Sequence, residues 1–201
     1  GTFTVDSLDD ALHTNGNLAI EGGIFALATG DDGMHADAAL FINDGTIDIT
    51  KSYEGLEGLS IDINGGTITL TASDDGLNAA GGNDQSGTAG RMGGDMFAVT
   101  EGAYIQITGG VITIDASGDG IDSNGNLYIT GGETYVNGPT SGADGALDYN
   151  GTASITGGIF VAAGSSGMAQ SLSSAENQGV IMVNTTQYQA AESTITLSDA
   201  D

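Results

Sequence analysis

An all-β chain wound into a parallel β-helix is what this sequence predicts. Three observations carry that prediction: glycine pairs recurring about every 22 residues, short alternating apolar runs flanking each pair, and an acidic turn at one phase of the repeat. The pairs or near-pairs are Gly22-Gly23, Asp44-Gly45, Gly65-Gly66, Gly109-Gly110, Gly131-Gly132 and Gly157-Gly158, with steps of 22, 21, 44, 22 and 26 residues between their second members. Periods in this range belong to solenoids.

Before each pair runs a short strand: Leu18 and Ile20, Leu40 and Ile42, Ile61 and Ile63, Ile105 and Ile107, Leu127 and Ile129, then Ala153 and Ile155. After it comes a second, with Phe25 and Leu27, Ile47 and Ile49, Ile68 and Leu70, Ile112 and Ile114, and Phe160 and Ala162 in matching places. Alternation with period two marks one face of each strand as buried. A third inward position follows the acidic turn at Leu12, Met34, Leu56, Leu77 and Ile121. These columns read as core, and six or seven coils stacked at ~4.8 Å would make a rod roughly 30 Å long. Residues 1–201 are read as one domain. The doubled step of 44 hides an insertion, 81–102, which lacks alternation and reads as a projecting loop. Residues 178–201 leave the repeat and are expected to cap the open end or begin a following segment.

Against 27 acidic residues the chain sets only Lys51 and Arg91, for a net charge of −25. Such a balance excludes nucleic acid as a partner. Apolar content of 39% with no long unbroken apolar run argues against membrane insertion, and its regular spacing argues against disorder. With no cysteine there is neither a disulfide framework nor a thiolate metal site, so oxygen ligands remain. The strand pattern is already present in residues 1–5, so any signal peptide is expected to have been removed or omitted, with a secreted or cell-surface location inferred. The chain stops abruptly at Asp201, as a fragment of a longer protein would.

One corner of every coil carries the acid: SLDDALH, TGDDGMH, SYEGLEG, ASDDGLN, SGDGIDS and GADGALD. Aligned, these give a column Asp10, Asp32, Glu54, Asp75, Asp119 and Asp144, and a second column His13, His35, Glu57, Asn78, Asp122 and Asp148. Asp9, Asp31 and Asp74 thicken the first. Carboxylates stacked ~5 Å apart repel by about 3 kcal/mol per pair at an effective dielectric near 20. Single aspartates in such corners are equally well explained by turn chemistry, but a whole column calls for cations. Calcium suits it best, since it accepts six to eight oxygen ligands in flexible geometry. Zinc through His13 and His35 is the lesser alternative, because two histidines alone fall short of a zinc ligand set. An EF-hand is excluded at Asp115–Asp119, where Asn126 stands in the closing position that needs glutamate.

The phrases TASDDGLNAAGGNDQSG, DASGDGIDSNGNLYITGG, NGPTSGADGALDYNG and GGIFVAAGSSGMAQ resemble a carbohydrate-binding β-helix family of secreted proteins from plant-biomass-degrading bacteria. The likeness spans most of residues 1–182. It implies a right-handed parallel β-helix similar to pectate lyases, several bound Ca2+ ions, and affinity for acidic sugars such as polygalacturonate and for cellulose. It also implies that Asp31, Asp32, Asp74, Asp75, Asp119 and Asp122 are calcium ligands. The turn SYEGLEG departs from the pattern, with Glu54 and Glu57 replacing aspartates.

The expected function is therefore calcium-dependent binding of an acidic polysaccharide, without catalysis. Calcium would bridge protein carboxylates to uronate carboxylates that would otherwise be repelled. Two alternatives stand beside it. A pectate lyase would need a cationic base, for which only Lys51 and Arg91 are available, and the acids around Lys51 would raise its pKa. A structural rod would associate end to end through its open coils. A carboxylate-pair hydrolase is disfavoured because repetition alone explains the paired acids. With no Trp in the chain, sugar stacking falls to tyrosines, of which Tyr53 and Tyr149 adjoin acidic turns. Lys51, Tyr53, Arg91 and Tyr149 are the candidate sugar contacts.

Overall fold

The computed structural model describes residues 1–80, 98–190, 193–196 and 198. Its strands form parallel ladders only, arranged as a β-solenoid of about seven turns. The first ladder holds seven strands in chain order: Thr2–Asp6, Ile24–Ala28, Thr46–Ser52, Thr67–Ala72, Val111–Ala116, Glu133–Asn137 and Ile159–Ala163. A second ladder runs along the corner after the acidic turn, through Leu12–Thr14, Leu77–Ala79, Ile121–Ser123 and Asp148–Tyr149. The third contains Leu18–Ile20, Tyr104–Ile107, Asn126–Ile129, Ala153–Ile155 and Ser174–Ala175. Because Met34–Ile42 and Leu56–Ile63 pass through the corner without a break, these two ladders merge into one sheet of 11 strands.

Like stacks on like. Leu27, Ile49, Leu70, Ile114 and Val136 pair in consecutive register, as do Ile42, Ile63, Ile107, Ile129 and Ile155. Every one of these side chains is buried, while the alternate residues of the first ladder face solvent, so Thr67–Ala72 reads exposed, buried, exposed through its length. Thr134 occupies an inward place without an apolar side chain, and its Oγ1 has no hydrogen-bond partner. The insertion leaves the stack undisturbed: Thr67–Ala72 pairs directly with Val111–Ala116 across an offset of 44 residues. The expected loop 81–102 lies outside the described residues over 81–97. Its return rests on the neighbouring coil, where Thr100 N–H donates to the Asn124 carbonyl at 2.7 Å. Beyond Ser174–Ala175 the described residues form no strand, and 178–190 are exposed throughout. No helix among the described residues is long and apolar enough to cross a membrane.

Two corners explain the glycines. At the corner between the third and first ladders, Gly66 and Gly110 both take φ of +87°, which L side chains rarely adopt. An amide ladder runs along the same corner: Asn43 Nδ2 donates to Glu21, Asn64 Nδ2 to Asn43, and Thr108 Oγ1 to Asn64, at 2.8, 2.9 and 2.8 Å. At the acidic corner the reason is close approach. A Cβ on Gly33, Gly55 or Gly76 would lie 2.5, 2.4 and 2.5 Å from the carbonyl oxygen of the next glycine in the column. Glycine after the acid is thus needed where these three coils stack. Replacing Gly76 with Ala, whose Cβ would also meet Ile114 Cγ2 at 2.4 Å, is expected to cost about 1–3 kcal/mol as an overpacking change. Gly142→Ala, with open space around it, should be near neutral. Urea unfolding of the two variants measures the contrast, and equal midpoints would disprove it.

Candidate functional site

The second acidic column is realised residue for residue. His13 pairs with His35, His35 with Glu57, Glu57 with Asn78, Asn78 with Asp122 and Asp122 with Asp148. Gln170 extends it, donating from Nε2 to Asp148 Oδ1. Nothing in the acidic pattern marked Gln170, because it is an amide in a coil whose turn has lost its acid.

The first column stacks through the backbone. Asp10 Oδ1 accepts from Asp32 N–H at 3.0 Å and Asp32 Oδ1 from Glu54 N–H at 3.2 Å. Asp75 Oδ1 accepts from Asp119 N–H and Asp119 Oδ1 from Gly145 N–H, both at 2.6 Å. Each of these aspartates therefore ties one oxygen to the coil above. In the first two coils the second oxygen reaches the other column, Asp10 Oδ2 to His13 and Asp32 Oδ2 to His35. Turn chemistry and presentation of a carboxylate coexist in one side chain. The sixth coil corrects the alignment: Gly145, not Asp144, fills the column position, because the 26-residue coil places its extra residues before the turn. Asp144 sits one residue earlier and accepts from Ser141 Oγ at 2.8 Å.

At the amino-terminal end the columns carry imidazoles. His13 and His35 stack with ring centroids 4.8 Å apart. His13 Nδ1 lies 2.7 Å from Asp10 Oδ2, and the fully buried His35 has Nδ1 at 3.2 Å from Asp32 Oδ2 and 2.8 Å from Glu57 Oε2. Its Nε2 meets Asp37 Oδ1 at 3.2 Å. Burial alone would lower the His35 pKa, but its hydrogen bonds to Asp32 and Glu57 outweigh that and hold it at about 11. Asp37 itself is held low, by its bond from Asn15 and then by His35.

The middle of the column is all oxygen, and it is under-satisfied. Glu54, 9% exposed, and Asn78, 5% exposed, each keep a buried oxygen, Oε2 and Oδ1, with no hydrogen-bond partner. Burial, then the charges of Glu57, Asp32 and Asp75, push Glu54 up to about 10. Asp75 is raised well above the usual carboxylate range by burial and by Asp122, Asp74 and Asp119. Burial likewise carries Glu57 to about 7 against the pull of His35, and Asp122 to about 7 with Asp119 and Asp148 adding to it. Asp119 rises to about 6, mainly by burial, although the Gly145 N–H favours its charged form. One carboxylate oxygen from each of Asp75, Asp119 and Asp122 falls within a span of 4.8 Å, as does one from each of Asp9, Asp10 and Asp31. Such clusters are what a hard divalent cation requires.

The candidate sugar contacts are spread more widely. Tyr53 is exposed at the acidic corner and hydrogen-bonds Asp74, which raises its phenol pKa. Tyr149 packs against the core and donates to the Ser171 carbonyl at 2.8 Å. Lys51 is exposed at a register shift of the first ladder, opposite Ala28. Arg91 lies outside the described residues. Tyr135, 37% exposed, stands on the solvent face of the first ladder and donates to Glu133 at 2.9 Å.

The described residues form a parallel β-solenoid with one corner lined by carboxylates. The family model for carbohydrate-binding domain-containing proteins matches residues 31–200, and the chain belongs to that family. No curated protein and no solved structure matches it.

Carboxyls whose pKa is higher folded than unfolded take up protons on folding. Their contribution to stability is complete below the unfolded value and is lost as pH rises through the folded one. For Asp119 and Asp122 the window runs from the ordinary aspartate value to about 6 and about 7, and Glu54 extends it to about 10. His35 adds the same slope only above its ordinary value of 6.5. Chelator-treated protein should therefore melt at progressively lower temperature from about pH 4.5 to about pH 7.5. Thermal unfolding followed by circular dichroism checks it, and a melting temperature that rises over this range would contradict it.

Proposed function

We propose that the chain is a calcium-dependent, non-catalytic binding domain for acidic polysaccharide, with cations held along the middle of the acidic corner. The observation that carries this proposal is the pair of buried, unpartnered oxygens, Glu54 Oε2 and Asn78 Oδ1, set among carboxyls that burial and mutual repulsion drive toward protonation. A buried oxygen without a partner costs about 1–3 kcal/mol, and a bound cation removes that cost. Glu54, Asp75 and Asn78 would hold one ion, and Asp75, Asp119 and Asp122 another. Calcium fits better than magnesium, since side chains of mixed length from different coils are poorly suited to a strict octahedron.

Metal left partly open to solvent can accept uronate carboxylates, which gives a chain of charge −25 a way to bind a polyanion. Family membership supports carbohydrate as the ligand class. Exposed Tyr53, tied to Asp74, offers a ring at the edge of the same corner. A location outside the cell, where calcium and plant-type polysaccharide meet, is part of the same proposal.

Titration calorimetry of polygalacturonate into chelator-stripped protein, with and without added calcium, tests this while absorbance reports unsaturated product. Heat that requires calcium, without new absorbance, is expected. Rising absorbance would replace binding with lyase chemistry, and absence of heat under both conditions would leave the domain as a structural rod. The variant Glu54→Gln is expected to weaken calcium on the order of tenfold or more, following the dependence of affinity on ligand charge. Since Glu54 is largely protonated without metal, the same change should not lower the melting temperature of the stripped protein. A loss of stability equal in the stripped and calcium-loaded states would remove Glu54 from the site.

A further inference from the structure

We infer that Asp32, His35 and Glu57 form a separate site for a divalent transition-metal ion of the zinc class, at the amino-terminal end of the acidic corner. Three observations carry it, none of them drawn from the all-oxygen cluster. His35 is fully buried, and its Nδ1 faces two carboxylate oxygens at once, Asp32 Oδ2 at 3.2 Å and Glu57 Oε2 at 2.8 Å. One ligand atom from each of Asp32, His35 and Glu57 lies within 4.8 Å of the other two. Ionised carboxylates only accept hydrogen bonds, so a cation, or a proton carried by His35, must lie among the three ligand atoms. Their spacing suits a tetrahedral ion, for which metal–ligand bonds of about 2.05 Å give ligand–ligand edges of roughly 3.3 Å.

The second observation is the far side of the ring. His35 Nε2 lies 3.2 Å from Asp37 Oδ1, and Asp37 is held in turn by Asn15 Nδ2 at 3.0 Å across one coil. A metal-ligating histidine typically donates its other N–H to a carboxylate, which fixes the tautomer and aims the free lone pair at the ion. Here that arrangement leaves Nδ1 as the ligating atom. Third, the site is roofed by His13, stacked on His35 at 4.8 Å. His13, His35 and Asp10 form a second group of donors within 4.8 Å of one another. Three protein donors leave one position of a tetrahedral ion for water or a ligand oxygen. Imidazole favours a borderline ion over calcium, which takes oxygen, so the corner would sort metals along its length.

The alternative occupant of the trio is a proton, which would make His35 an imidazolium clamped between acids. Nitrogen-15 NMR of the histidine rings separates the two. Chelator-stripped protein is first saturated with calcium, so that failure of the calcium sites and failure of this one read out independently, and is then titrated with zinc. One zinc per chain should bind, with His35 Nδ1 losing its proton while Nε2 keeps the one shared with Asp37. Cobalt in place of zinc should give the visible absorption of a four-coordinate ion. His35→Gln is expected to abolish both signals, and Asp37→Asn to weaken zinc about 10–100-fold as loss of an orienting partner does. Asp48→Asn, on the solvent face of the first ladder, should leave zinc binding unchanged. If His35 keeps both ring protons at saturating zinc, or if zinc binding survives His35→Gln, the proposal is wrong. Should His35→Gln fail to fold, the ring-proton measurement on the unaltered chain decides alone.

Discussion

In-register parallel pairing is the constraint on which everything else here depends. Each coil lays its residues over the same residues of the coil below at a spacing of about 4.8 Å, so any choice made once is repeated as a column. For apolar side chains the repetition is favourable, because every Ile and Leu of Leu27, Ile49, Leu70 and Ile114 buries the one beneath it. At the glycine corner it is demanding, since the backbones approach to within the reach of a single methyl group. For carboxylates it is unfavourable, each adjacent pair repelling by about 3 kcal/mol at an effective dielectric near 20.

The chain meets that repulsion differently in each coil. Backbone N–H groups of the next coil engage Oδ1 of Asp10, Asp32, Asp75 and Asp119, a charge-assisted bond of the stronger kind. Imidazoles interleave with acids in the first two coils, and amides replace acids at Asn78 and Gln170. Between these devices lies Glu54, whose longer side chain reaches into the buried part of the corner and leaves Oε2 without a partner. Among the described residues of the column, the buried oxygens left without a hydrogen-bond partner lie at its centre.

Periodicity made the fold legible from sequence, since a glycine period and two-residue alternation each report a geometry that stacking enforces on every coil. The second column was legible to the residue, His13 through Asp148, because it lies inside paired strands where register is fixed. Asp144 was misplaced for the opposite reason: it precedes the strand, in a 26-residue coil whose extra length is taken up before the turn. The amide ladder through Asn43 and Asn64, and the role of Asp37 behind His35, were not visible either. Both depend on side chains meeting across coils at positions with no apolar phase to flag them. Tyr149, a tyrosine adjoining the acid in sequence, is partly buried against the core and donates to the Ser171 carbonyl, contacts that its place in the repeat did not announce.

Natural sequences satisfy their buried polar groups almost everywhere, and breaches concentrate where a ligand completes the set. In the acidic corner the buried oxygens without a hydrogen-bond partner, among the described residues, are Glu54 Oε2 and Asn78 Oδ1. Asp10, Asp32, Asp75 and Asp119 each give one oxygen to the backbone of the next coil. Where the sequence departs from aspartate, at Glu54 and Glu57 and at the histidines, the substituted side chains are longer or differently charged than the turn requires. Departure from the repeat is thus more informative than the repeat itself: turn geometry accounts for one oxygen of each aspartate but not for the longer side chain of Glu54 or the amide of Asn78.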